Sequence, residues 1–309
     1  MSQSPSRLAV LLAGAASLGL LTGCGGLSDD APSAESGDST SKVTVVASTN
    51  VYGDIVERIG GDRVDVTSII SDPDQDPHSY EADTRNQLAL SKAKVVVENG
   101  GGYDDFVDRM LGSGNASADV VNAVEVSGRT AAAGGELNEH VWYDFPSMGK
   151  VADRIADALG KADPAHAGAF AENAAAFKKT LTTLESEEAS LKSAHDGDGV
   201  AITEPVPVYL LEASGLVDRT PEEFSEAVEE GDDVSATTLR ATLELFSGEK
   251  VRALVYNEQT SGAQAEKVKS AAEAAGVPVV PVTETLPGGK DYLTWMSDNV
   301  DALADALNK

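Results

Sequence analysis

The sequence predicts an α/β protein of two lobes, each a mainly parallel sheet with flanking helices, joined by one long helix. Three observations carry that expectation. Short β-branched runs alternate with segments of helical spacing, as parallel sheets require. A strand-free stretch rich in Ala, Glu and Lys occupies residues 147–193. The strand–loop–helix rhythm then resumes after Gly197-Asp198-Gly199.

The elements follow in order. Val43-Thr44-Val45-Val46-Ala47 is a β-branched run typical of a buried strand. Ser48-Thr49-Asn50 ends it and can cap the next segment, where Val51, Ile55, Val56 and Ile59 recur at helical spacing. Gly60-Gly61 stops that helix. A second strand is expected over 64–70, a helix from Thr84, a strand over 94–98, a helix over 103–111 and a short strand over 118–121. Asp163-Pro164 can start a helix, and Phe170, Ala174, Phe177, Leu181 and Leu184 give it an apolar stripe. Its length of about thirty residues corresponds to roughly 45 Å, enough to join two lobes. Beyond it, Val200-Ala201-Ile202-Thr203 and residues 251–256 read as strands, with a helix over 263–275. Residues 277–282 form one more strand, placed near a sheet edge by Pro278 and Pro281. An amphipathic helix closes the chain over 292–307. The unit at Val43 echoes the unit at Val200, and 95–111 echoes 254–268, as two pseudo-symmetric lobes would.

The N-terminus has a different character. Arg7 precedes an apolar run over 8–21, the layout of a secretory signal. Its end, Leu21-Thr22-Gly23-Cys24, resembles a bacterial lipobox. Cys24 is the only cysteine of the chain, so lipid attachment accounts for it better than a disulfide. Each buried methylene of such a lipid contributes roughly 0.8 kcal/mol to membrane attachment. The expected organisation is a leader at 1–23, a flexible Gly/Ser/Asp-rich tether at 24–42, an α/β lobe at 43–145, a helical region at 146–196 and a second lobe at 197–309. No segment after the leader is long and apolar enough to span a bilayer. Twenty-three basic against 51 acidic residues leave a formal charge of −28, which argues against nucleic acid and anionic lipid as partners.

Four side chains are candidates for holding a cation. His78 follows Asp76-Pro77, and His140 lies between Glu139 and Val141-Trp142-Tyr143-Asp144, where aromatics can wall off water. His166 and His195 lack large apolar neighbours and read as solvated surface groups. Glu204 stands at the end of an apolar strand, where a carboxylate either faces a cleft or caps a helix. Glu284 occupies the same kind of position after the 277–282 strand, with an exposed loop carboxylate as the plainer reading. Asp291, before Tyr292, reads as a helix N-cap instead. Two neutral imidazoles and two carboxylates balance a divalent ion and suit zinc or manganese. Scattered as they are, only a folded cleft can assemble them.

Together these segments resemble the solute-binding lipoproteins of manganese and zinc ABC importers, the cluster A-I metal-binding proteins. The resemblance covers nearly all of 43–307. It is carried by Asp76-Pro77-His78-Ser79-Tyr80-Glu81, Asn138-Glu139-His140-Val141-Trp142-Tyr143-Asp144, Thr203-Glu204-Pro205 and Thr283-Glu284-Thr285. It implies one divalent metal, Mn2+ or Zn2+, held as cargo between the lobes by His78, His140, Glu204 and Glu284. It also implies a long helix that limits hinge motion, a partner permease of an ABC importer, a monomer, and anchoring through Cys24 at the outer face of the cytoplasmic membrane. Two departures stand out. The late carboxylate, often Asp in relatives, is Glu284 here, and residues 131–135 carry no histidine-rich loop. Both the missing loop and a glutamate at the third position lean toward manganese, while zinc stays open. Binding needs neutral histidines, so affinity is expected to fall below about pH 6.

No enzymatic activity is expected. The chain lacks a His-Glu-x-x-His helix, and four protein ligands leave no open position for a catalytic water. The alternative to a metal receptor is a surface adhesin or an organic-solute-binding lipoprotein. An adhesin works in metal-free buffer, and an organic-solute binder loses nothing on His78→Ala.

Overall fold

The computed structural model describes residues 41–72, 75, 80–81, 83–112, 114–115, 117–131, 136–248, 250–259 and 262–309. The first lobe runs β1 (Val43–Thr49), α1 (Asn50–Gly60), β2 (Val64–Ile70), α2 (Thr84–Leu90), β3 (Val95–Glu98), α3 (Phe106–Leu111), β4 (Asp119–Asn122) and α4 (Ala123–Ser127). Two long helices follow, α5 (Phe145–Ala162) and α6 (Ala167–His195). The second lobe contains β5 (Gly199–Ile202), α7 (Val208–Ala213), β6 (Val217–Asp218), α8 (Glu222–Glu229), α9 (Ala236–Leu243), β7 (Leu254–Asn257), α10 (Ala263–Ala274), β8 (Val279–Val282) and α11 (Tyr292–Leu307).

Each lobe holds a four-stranded parallel sheet, ordered β2-β1-β3-β4 in the first and β6-β5-β7-β8 in the second. The two orders are equivalent, with β1 and β5 in the same place in each sheet. Pro281 sits in β8, an edge strand, where a missing N–H costs no ladder bond. Helices cover both faces of each sheet, which is why the strands read as continuous apolar runs. One apolar cluster passes from Val45 and Val97 through Phe145, Phe177 and Leu184 to Ile202, Val255 and Trp295, joining the lobes. Separate clusters close the outer faces, around Phe106 and Met110 in one lobe and Phe224 and Val268 in the other.

The 29-residue α6 buries the expected stripe of Phe170, Ala174, Phe177, Leu181 and Leu184. Polar bridges add to the lobe contact. Asn50 donates to the Leu286 carbonyl and accepts from its N–H, both at 2.9 Å. The Tyr143 hydroxyl donates to Thr283 O at 2.8 Å, and the Tyr292 hydroxyl to Trp142 O at 2.6 Å. Asp291 caps α11 by accepting from Thr294 N–H at 2.9 Å.

Three local expectations are corrected. The Thr49 side chain makes no capping bond to α1, and the Asn50 amide is spent on the other lobe. The helix expected over 103–111 starts only at Phe106, because Gly100, Gly101 and Gly102 all take positive φ (77, 71 and 102°) and wind a turn that other residues resist. His166 and His195 are partly buried and paired with Asp163 and Asp198, at 2.7 and 3.1 Å. Residues 216–250, given no element from the sequence, contain β6, α8 and α9.

The α6 stripe also contains a carboxyl, Glu188, only 4% exposed. Burial first, then the charges of Asp144 and Glu185, push its pKa up from 4.5 to about 8. The folded state therefore keeps a proton that the unfolded chain releases above 4.5, and stability is lost as pH rises toward 8. Glu188→Gln is expected to stabilise the protein by about 1–3 kcal/mol at pH 8 and by almost nothing at pH 4. Thermal melts across that range check the sign: an equal shift at both pH values contradicts it.

Candidate metal centre

The two candidate carboxylates lie where an α/β sheet is expected to place ligand-facing groups, beyond the carboxyl ends of strands. Glu204 follows β5 and Thr203, Asn257 ends β7, and Glu284 follows β8. Both carboxylates are buried. Asn257 ties them together: its Nδ2 donates to Glu204 Oε2 at 2.6 Å and to Glu284 Oε1 at 2.7 Å. Its own oxygen accepts from Gln259 N–H at 3.1 Å. The Gln259 side-chain oxygen in turn accepts from the N–H groups of Glu284 and Thr285, at 2.7 and 2.9 Å. One Asn257 amide thus joins Glu204 and Glu284.

His140 comes from the first lobe, on the irregular segment before the tight turn Val141–Tyr143. Its ring is fully buried. The Asn138 side chain sets its tautomer. Asn138 Nδ2 donates to the Pro205 carbonyl at 2.9 Å, so its oxygen faces His140. That oxygen accepts from the His140 backbone N–H at 3.0 Å and from Nδ1–H at 2.8 Å. The proton of neutral imidazole therefore sits on Nδ1, and Nε2 keeps the lone pair a metal takes. Rings of Trp142 and Tyr103 pack edge-on to the imidazole, with centroids 5.0 and 5.9 Å away. The glycine turn after β3 delivers Tyr103, whose hydroxyl donates to Glu284 Oε2 at 3.4 Å. From the second lobe the Tyr209 hydroxyl donates to Asn138 O at 2.6 Å, and Arg129 stacks over that ring at 4.6 Å.

His140 is linked across the lobes to Glu284 through Tyr103, and Glu284 to Glu204 through Asn257. His78 and Cys24 lie outside the described residues. Asn257 and Glu229 have no candidate role in the sequence, and Asn138 stands there only as part of the His140 motif. Glu229 Oε1 lies 3.4 Å from His140 Nε2. Ligand atoms of Glu139, His140 and Glu229 all fall within 4.8 Å of one another. Burial, then the charges of Glu139, Glu284 and Glu204, raise the Glu229 pKa to about 9. Burial and Glu136 raise that of Glu139 to about 7, against the effect of its own backbone hydrogen bond. The cluster thus gathers acceptor groups whose ionised forms need a nearby cation.

Two parallel-sheet lobes joined by a long helix, with a buried polar cluster between them, define a two-lobed cleft-binding protein. The chain belongs to the family of the zinc-uptake complex component A, periplasmic, whose model matches residues 45–306. It is 36% identical over 170 residues to the manganese-binding lipoprotein MntA of Bacillus subtilis, a match over 53% of this chain and 53% of that protein, about half the relative's length. It is 23% identical over 291 residues to the manganese ABC transporter substrate-binding lipoprotein of Streptococcus gordonii, covering 88% of this chain and 91% of the relative. The periplasmic zinc-binding protein TroA of Treponema pallidum shares the fold, with a TM-score of 0.74 at 20% identity over 86% of this chain and 99% of that one. Among the described residues no helix is long and apolar enough to cross a membrane.

Proposed function

We propose that this protein is an extracytoplasmic receptor that captures a divalent transition metal, manganese or zinc, and delivers it to an ABC permease. The observation that carries the reading is the buried His140 imidazole, held through Asn138 with its proton on Nδ1, while Tyr103 packs on that ring and bonds Glu284, which shares the Asn257 amide with Glu204. His78, His140, Glu204 and Glu284 are the proposed ligands, a neutral pair of imidazoles and a carboxylate pair that offset the charge of the ion. The metal is cargo, and the proposal contains no catalytic step. The names of the relatives support the manganese and lipoprotein aspects. Cys24 carries the lipid in this proposal, holding a monomer at the outer face of the cytoplasmic membrane, within reach of the permease.

The interlobe bonds suit capture. The first lobe supplies His140 and the second supplies the carboxylates, so an ion bound by both favours the closed arrangement. Calorimetric titration of manganese and zinc into chelator-stripped protein beginning at Ser28 tests the reading. One-to-one tight binding is expected. Failure of a folded protein to bind either ion overturns it and leaves the adhesin or organic-solute reading.

A further inference from the structure

We propose that Glu229 is a further metal-contacting residue of this cleft, adding an oxygen ligand beside His140 Nε2. The proposal rests on the metal-receptor reading and deepens it.

Glu229 is the last residue of α8. Phe224 and Val228 bury the inner face of that helix in the outer core of the second lobe, beside Ala201, Leu254 and Val268. That packing fixes the end of α8 next to the cleft and brings the Glu229 carboxyl to the His140 ring of the other lobe. Its oxygen approaches Nε2, the nitrogen with the lone pair, at 3.4 Å. Nδ1 is already engaged by Asn138. Glu229 therefore converges on the same side of the imidazole that an ion must use.

The helix end disfavours the ionised form of this carboxyl unless a cation is near. The C-terminus of a helix is the negative end of its dipole, where a carboxylate is disfavoured and a positive charge favoured. Glu139 crowds the same place, with ligand atoms of Glu139, His140 and Glu229 all within 4.8 Å of one another. A divalent ion at His140 Nε2 converts this crowding into coordination. It also biases selectivity: manganese accepts more oxygen ligands in higher-coordinate geometry, whereas structural zinc sites are usually closed by four ligands. An added glutamate thus favours manganese relative to zinc.

The test uses the protein beginning at Ser28, with Glu229→Gln, Glu229→Asp and Glu230→Gln. Glu230 is exposed and adjacent to Glu229 in sequence. Calorimetry with Mn2+ and Zn2+ is combined with the visible absorption of bound Co2+, which reports coordination number. For Glu229→Gln, manganese affinity is expected to fall about tenfold to a hundredfold, zinc affinity to fall less, and the cobalt bands to strengthen as coordination number drops. Glu230→Gln is expected to match the parent. Glu229→Asp, which keeps the charge but shortens its reach, provides the same readouts if the amide variant fails to fold. An unchanged manganese-to-zinc ratio and cobalt spectrum in a folded Glu229 variant overturns the proposal while the receptor reading stands. Absence of binding by the parent overturns both.

Discussion

His140→Ala is expected to lower metal affinity by about 1,000-fold or more, equivalent to about 4 kcal/mol. The size follows from the built character of the position. The imidazole is buried, its Nδ1–H is satisfied by Asn138, and the backbone N–H of the same residue is held by the same oxygen. The same Asn138 bridges to the Pro205 carbonyl of the other lobe at 2.9 Å, so the ring is held by a group that is itself anchored. Alanine also leaves a void beside Trp142 and Tyr103, so some stability is lost along with the ligand. The two effects separate experimentally. Melting of the metal-free variant reports the void, whereas the rise in melting temperature on adding metal reports binding to the native state. A variant that melts lower but still gains the full metal-induced rise contradicts a ligand role for His140.

Much of the scaffold is legible in the chain because local chemistry dictates it. The β-branched run at Val43 makes a strand buried on both faces, and the Phe170-to-Leu184 stripe makes the long helix. Asp291 caps α11, and Pro281 lies in an edge strand. The cleft is legible only in part. Strand ends at Thr203-Glu204 and Thr283-Glu284 signal where carboxylates converge, but the groups that orient them carry no local mark. Asn257 reads as a loop polar residue until the fold brings it to Glu204, 53 positions away, and to Glu284, 27 away. The acidic run around Glu222–Glu229 looks like solvated surface, since α8 buries only a narrow face through Phe224, Ser225 and Val228. Its last carboxyl becomes significant only when tertiary packing sets it against His140. Thr49 makes no side-chain cap on α1, and the neighbouring Asn50 amide takes its partners on Leu286 in the other lobe, a pairing with no local mark in the sequence.

Trp142→Ala is expected to destabilise the protein by about 3–5 kcal/mol and also to weaken metal binding. Trp142 is 1% exposed and lies between Tyr103, His140 and Tyr143, with ring centroids at 4.8, 5.0 and 6.4 Å. Its carbonyl accepts the Tyr292 hydroxyl from α11. Truncation keeps that carbonyl but removes the wall that holds the imidazole edge and separates it from water. A large loss of stability alone does not establish such a role, because any deleted tryptophan costs a comparable amount. Trp295, 2% exposed on α11, packs on Tyr143 and Tyr292 and supplies the comparison. Trp295→Ala is expected to lower the urea midpoint similarly while leaving metal affinity within a few-fold of the parent, whereas Trp142→Ala lowers both. Trp142→Phe, which restores an aromatic face beside His140, is expected to recover most of the affinity. If the two alanine variants lose equal affinity, the wall acts only through global stability, and orientation of the imidazole rests on Asn138 alone.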